Sequence, residues 1–263
     1  MTKEKKKNSN KPTILITNDD GILSKGILAL VQAAKKFGDV IVVAPDSPQS
    51  GMGHAITIGK PLRFRPVEIM KGIPSYETTG TPVDCVKLAV DKILKRKPDL
   101  CLSGINHGSN CSINIIYSGT MSAAMEAAIE GIPAIGFSLL DYSDDADFTL
   151  SKIVVEEMIK KVLTEKIPSK ALYNVNIPKI DKKKYKGLKF CRQANAKWQE
   201  NFVERLDPTG KKYFWLTGEF KNNDKAKDTD VWALDNNFAS VVPSQFDLTN
   251  YQILNQIHSQ GFE

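Results

Sequence analysis

Asp19 and Asp20 stand side by side in "ILITNDDGI", residues 14–22, at the end of an apolar run. Adjacent carboxylates repel unless a cation sits between or beside them, and a hard divalent ion takes oxygen ligands from carboxylate, hydroxyl and amide groups. Two later segments, "PDSPQSGMGH" (45–54) and "GINHGSN" (104–110), are rich in Ser, Asn, Asp and Gly, so a loop serine and a loop asparagine could complete such a set. With three histidines and no CxxC pair, no His or Cys cluster competes for the role, which disfavours zinc and favours Mg²⁺ or Mn²⁺. "YSGTMSAAMEAA" (117–128) opens a helix with small residues, and free N–H groups and hydroxyls at a helix N-terminus suit a phosphate. Each loop alone is ordinary turn chemistry. Together they describe a site that handles phosphate through a metal.

Such a site needs elements that bring distant loops together. "TILIT" (13–17) is a short apolar run rich in β-branched residues, as expected of a parallel strand covered on both faces. "GILALVQAAKKF" (26–37) has helical spacing, and "VIVVAP" (40–45) is the next strand. The spacing predicts a helix over 81–95 with Pro82 in its first turn, a strand at 99–103, a helix from Ser118 or Thr120 to near Gly131, and a strand at 134–139. This alternation argues for an α/β fold built on an open, doubly wound, mostly parallel sheet, whose ligands bind beyond the carboxyl ends of the strands. Past residue 170 the texture becomes β-rich, ending in a helical stretch over 247–259. The expected organisation is a disordered basic tail (1–12) and a single unit over 13–263, with an α/β core (13–170) and a β-rich extension (171–263).

Composition limits the partners. The chain has 263 residues, 41% of them apolar, and a formal charge of +6. Lys3, Lys5, Lys6, Lys7 and Lys11 against Glu4 account for +4 of that charge, so the remainder is near neutral and no stable nucleic-acid complex is expected. No apolar run approaches the roughly 18 residues that cross a bilayer, and the N-terminus lacks the apolar core of a signal peptide. No membrane association and a cytoplasmic location are therefore expected. Cys85, Cys101, Cys111 and Cys191 read as reduced thiols.

A response-regulator receiver also carries an acidic pair after its first strand. It needs a phosphoacceptor aspartate at the end of its third strand, where this chain has "LSGIN", and it is about half this length. A dinucleotide-binding enzyme is weaker still, because the first turn lacks GxGxxG.

The motifs "ILITNDDGI", "VVAPDSPQSGMGHAIT", "TTGTPVDCVKLA", "PDLCLSGINHGSN" and "YSGTMSAAMEAAIEGIPAIGFS", in this order, resemble those of the SurE family, the survival-protein nucleotidases. "RLDPTGKKYFWLTGE" and "DTDVWAL...ASVVP" extend the likeness to the C-terminal part. The resemblance implies a Rossmann-like core and a metal-dependent phosphatase acting on nucleoside 5′- or 3′-monophosphates. It implies one divalent ion per subunit, held by Asp19, Asp20, Ser50 and Asn106, with Asp19, Asp20 and Asn106 catalytic. Asn18 and Gly21 would shape the first loop, and Asn110, Ser118, Gly119 and Thr120 would line the phosphate end. It further implies a homodimer or homotetramer that exchanges C-terminal elements, consistent with the aromatic residues between Trp198 and Phe220. The stretch "CSINII" departs from the more acidic or Gly-rich sequence common in the family. Attack by a metal-activated water is the preferred mechanism and an aspartyl-phosphate on Asp19 the alternative. His54 and His107 lie in these motifs with either proton-transfer or structural roles open to them, and Trp198, Trp215 and Trp232 read as core or interface residues.

Overall fold

The computed structural model describes residues 11–262, so nearly all of the lysine-rich tail lies outside the described residues. The elements run β1 (Thr13–Thr17), α1 (Lys25–Ala34), β2 (Asp39–Pro45), β3 (Phe64–Pro66), β4 (Ser75–Thr78), α2 (Pro82–Leu88), β5 (Leu100–His107), α3 (Gly119–Ile129), β6 (Ala134–Leu139), α4 (Thr149–Leu163) and β7 (Leu172–Ile177). They continue with β8 (Leu188–Phe190), β9 (Ala196–Leu206), β10 (Lys212–Asn222), α5 (Asp230–Asp235), β11 (Ala239–Ser244) and α6 (Tyr251–Ser259).

Nine strands form one sheet in the order β3-β4-β2-β1-β5-β6-β7-β11-β8. Every pairing is parallel except β3 with β4 and β11 with β7. Because side chains alternate across a strand, the apolar run of β1 supplies both cores. Ile14 and Ile16 join α1 and α4 residues such as Leu30 and Val155 on one face, while Leu15 joins Cys85, Val86 and Met121 of α2 and α3 on the other. Each such buried side chain contributes about 1.5–3 kcal/mol relative to exposure. Helices on both faces make the sheet doubly wound, and the strand order reverses between β1 and β5, where such a fold opens a crevice.

Several elements differ from the periodicity reading. The helix expected over 81–95 has a Thr81–Asp84 capping box, but it widens to a π-helical turn over Ala89–Leu94 and stops at Lys95, φ +54°. The strand expected at 99–103 continues to His107, since after a register shift between Ser103 and Asn106 it still pairs with Ser138 and Leu139 of β6. Gly104, φ +124°, occupies that shift, and a β-carbon there would fall 2.4 Å from the Phe137 carbonyl oxygen. Beyond residue 170, β7, β11 and β8 extend the main sheet, and β9 with β10 forms a separate antiparallel ribbon.

The ribbon is joined by "DPTG", whose Asp207 carboxylate accepts from the Thr209 and Lys211 N–H groups. Its foot is held by Ser112, whose hydroxyl lies 2.8 and 2.7 Å from the Ala194 and Ala196 carbonyls, and by Asp230, which accepts from the Ser112 and Ala194 N–H groups. Trp198 donates its indole N–H to Asn114 Oδ1 at 2.8 Å. Beyond that foot Phe202, Phe214, Trp215 and Leu216 are exposed. Among the described residues, no helix is long and apolar enough to cross a membrane.

Candidate active site

β1 delivers Asp19 and Asp20 to the switch point. The turn that follows is set by Asn18, buried, whose amide nitrogen donates to the Gly21 carbonyl (2.9 Å) and to Ser24 Oγ (2.8 Å). Ser24 in turn caps α1 by accepting from the Ile27 N–H. Gly21, φ +94°, adopts a left-handed conformation that favours glycine, and it leads into Ile22, whose N–H reaches the Pro45 carbonyl at 2.9 Å. The end of β2 is thereby tied to the acidic turn.

Asp19 is buried, and the N-terminus of α3 closes over it. The Thr120 hydroxyl donates to Asp19 Oδ1. Gly119 comes so close that a β-carbon on it would lie 2.7 Å from Asp19 Cβ and 2.9 Å from Oδ2. Ser118 caps α3 through its side chain, which accepts from the Met121 N–H at 3.0 Å. Burial, then the neighbouring Asp20 carboxylate, push Asp19 up to about 6, and Thr120 opposes this through hydroxyl and backbone. Asp20 is half-buried and is also raised by burial, with the His107 N–H, 3.3 Å from its Oδ2, pulling the other way.

At the end of β5, the Asn106 amide nitrogen donates to the His107 and Gly108 carbonyls at 3.1 and 2.9 Å, which leaves its oxygen for another partner. Ser50 sits exposed on the loop after β2, and its neighbour Gln49 donates a backbone N–H to the Asp19 carbonyl at 2.7 Å. The fold therefore brings the Ser50 segment, the acidic pair, the Asn106 strand end and the start of α3 to one edge. Asn110, expected at the phosphate end, stands on the loop after β5. It is buried, its amide nitrogen donates to Ser138 Oγ (2.8 Å), and its backbone N–H donates to Asn176 Oδ1 (2.7 Å), so it braces the loop from within.

The residues fit a hard cation. Two buried or half-buried carboxylates repel each other, Asn18 Oδ1 is buried with no hydrogen-bond partner among the described residues, and the Thr120 hydroxyl reaches Asp19. Among the described residues no group of three or more His, Cys, Asp or Glu side chains could hold a metal, so an ion here would depend on hydroxyl and amide oxygens beside the two aspartates.

The histidines have specific surroundings. His107 packs its ring edge-to-face on Phe148, centroids 5.3 Å apart. His54 Nε2 lies 2.9 Å from Glu126 Oε2, a buried carboxylate on α3 that also meets Lys87 Nζ at 2.5 Å. Glu126 was missed from sequence, although a lone acid inside "SAAMEAAI" is a signal that it has buried partners. Of the tryptophans, Trp198 anchors the ribbon foot, Trp215 is exposed, and Trp232 stacks on Phe238 with Lys189 over its ring.

Residues 14–200 match the survival protein SurE family. The chain belongs to the SurE family. It is 58% identical over 254 residues to the 5′-nucleotidase SurE of Christiangramia forsetii, covering 96% of this chain and 98% of that one. It is 56% identical over 250 residues to the 5′-nucleotidase SurE of Cytophaga hutchinsonii, covering 95% and 96%. The crystal structure of the SurE protein from Aquifex aeolicus superposes with a TM-score of 0.81 at 42% identity, covering 95% of this chain and all of that one. The SurE fold is thus the scaffold on which Asp19, Asp20, Asn106 and the start of α3 converge.

Proposed function

We propose that this protein is a metal-dependent phosphomonoesterase that hydrolyses nucleoside 5′-monophosphates, and 3′-monophosphates, to nucleoside and inorganic phosphate. The observation that carries this reading is the acidic pair at the switch point, capped by the N-terminus of α3, in a chain 58% identical over nearly its full length to a protein named 5′-nucleotidase. Asp19, Asp20, Ser50 and Asn106 would hold one Mg²⁺ or Mn²⁺ per subunit. When bound, the ion supplies Lewis acidity that neutralises phosphoryl oxygens and acidifies water.

The chain's own groups do the positioning. Thr120 fixes the Asp19 carboxylate by donating to Oδ1. Ser118, Gly119 and Thr120 begin a helix of eleven residues, whose N-terminal dipole favours the phosphoryl group. Asn18 and Gly21 hold the acidic turn in shape, and Asn110 keeps the Asn106 loop against β6 and β7. Water is the nucleophile in this reading. Enclosure of the Asp19 carboxylate between Thr120 and Gly119 supports that choice over attack by Asp19 itself, which would need an open path to phosphorus. The rival reading, a receiver-like phosphoacceptor module, lacks an aspartate at the end of β5, where Asn106 stands.

The same reading includes residues 13–263 acting as one unit, a homodimer or homotetramer formed by exchange of C-terminal elements, and a cytoplasmic location. Exposed aromatics on the β9–β10 ribbon and exposed Tyr251, Ile253 and Ile257 on α6 support assembly, because a two-stranded ribbon is marginal by itself in water. Four free cysteines support a reducing compartment. The test is phosphate release from a panel of nucleoside 5′- and 3′-monophosphates, each with Mg²⁺, Mn²⁺ or EDTA. Release that requires the divalent ion is expected; full turnover in rigorously metal-free protein would overturn the mechanism.

A further inference from the structure

A nucleotidase must hold the nucleoside as well as the phosphate, and the acidic turn with the α3 N-terminus accounts only for the phosphate. The loop between β6 and α4 supplies a candidate for the rest. Its Tyr142 is 73% exposed, yet its ring is seated on the Asn106 loop: a β-carbon on Gly108 would fall 2.3 Å from Tyr142 Cε1 and 2.8 Å from Cζ. Gly108, φ +98°, has no side chain, so the backbone two residues from Asn106 is open to an aromatic ring.

A single exposed aromatic is unremarkable in itself. This one is held in place from several sides. Asp141 accepts from the Ser143 N–H at 3.1 Å and pairs with Lys179 at 2.9 Å, fixing the residues on both sides of Tyr142. Lys25 of α1 donates to the Asp144 carbonyl at 2.7 Å, and at the far end of the loop Phe148 packs on His107. The Gly108 and Asp141 N–H groups both reach the Leu139 carbonyl, at 2.8 and 2.7 Å, so the two loops share one anchor. A large apolar ring kept at the surface, beside a phosphate site, on a pinned loop, is already organised for a flat partner and has little freedom left to lose on binding.

Resting on the nucleotidase reading, we infer that Tyr142 is the stacking wall for the nucleobase, seated by Gly108 beside the phosphate site. Stacking requires a π-face and not a pattern of donors, so this wall accepts both purines and pyrimidines. Tyr142 acts on binding and takes no part in phosphoryl transfer.

The experiment compares AMP and UMP with ribose 5-phosphate, which carries the phosphate and sugar without a base. Tyr142→Ala should lower kcat/KM for both nucleotides by roughly 5- to 150-fold, mainly through KM, leave ribose 5-phosphate unchanged, and be rescued by Tyr142→Phe. Equal losses on nucleotide and ribose 5-phosphate, with or without a change in oligomeric state, would make Tyr142 structural and overturn the inference. No loss on either would do the same. Calorimetric titration with AMP separates this from the hydrolase reading. Wild-type protein that binds AMP through Tyr142 but releases no phosphate overturns the hydrolase and keeps the subsite. Protein that hydrolyses AMP with Tyr142→Ala unimpaired overturns the subsite and keeps the hydrolase, and protein that does not bind AMP overturns both.

Discussion

His54 Nε2 lies 2.9 Å from Glu126 Oε2, joining the loop that carries Ser50 to the helix whose first turn closes over Asp19. The two residues are 72 apart in sequence. Glu126 is 4% exposed and needs such partners, because an unpaired buried carboxylate is costly. The same loop is held a second time by α2, through Thr81 Oγ1 to the Ala55 carbonyl at 2.7 Å and the Thr57 N–H to Asp84 at 3.2 Å.

His54→Ala therefore leaves Glu126 with Lys87 alone, at a cost of about 1–2 kcal/mol in urea unfolding. The loop over residues 46–60 should become a faster target for limited proteolysis, and the apparent affinity for Mn²⁺ should fall with Ser50 less firmly placed. Unchanged proteolysis and unchanged metal affinity would mean that the Thr81 and Asp84 contacts alone position the loop.

Asp19 makes stability depend on pH when no cation is bound. Its ordinary value is 3.8 and burial raises it to about 6, so the folded chain binds that proton more tightly than the unfolded chain. The stability this contributes is complete below pH 3.8 and is lost as pH rises through about 6. In EDTA, Asp19→Asn should be more stable than wild type near pH 7.5, by on the order of 3 kcal/mol, with the gap closing towards pH 4. A divalent ion should remove the gap at neutral pH by stabilising only the wild type. Urea unfolding of both proteins at several pH values measures this directly.

Gly119→Ala tests how closely α3 packs on Asp19. Gly119 is the first residue of α3, so the helix-interior advantage of alanine over glycine does little there. The alanine β-carbon would meet Asp19 Cβ at 2.7 Å and Oδ2 at 2.9 Å, so the buried carboxylate must move and the melting temperature should fall. Displacement on that scale should reduce kcat roughly 100-fold. Phosphate release and a thermal melt on the same preparation are sufficient to check it.

The ribbon prediction concerns assembly. Light scattering should report at least a dimer, since Phe202, Phe214, Trp215 and Leu216 have no cover among the described residues. Deleting residues 197–221 should yield a poorly stable, weakly active monomer. It also removes the Trp198 contact with Asn114, on the segment leading into α3, so the loss should extend to the phosphate end of the site. A wild-type chain that stays monomeric and fully active at high concentration would contradict the assembly.

Local pattern was enough to read β1, β2, β6 and the register of helices between them, because a buried parallel strand and an amphipathic helix each leave a periodic signature in a few residues. It was also enough to single out Asp19 and Asp20, because that acidic pair closes the apolar run "ILIT", where like charges need a partner. The short strands β3 and β4 on one side of the sheet, the continuation of β5 to His107 and the π-helical turn at Ala89–Leu94 carry no such signature, since pairing with a distant strand or packing against a neighbouring helix decides them. The same holds for the site. The presence of a glycine at 119, a glutamate at 126 or an asparagine at 110 is plain in the sequence, but each could equally serve a turn or a helix surface. Only the three-dimensional packing sets Gly119 against Asp19, buries Glu126 beside His54, and turns Asn110 inward to Ser138, because these contacts join residues 28 to 100 apart whose proximity follows from the crossing of strands at the switch point.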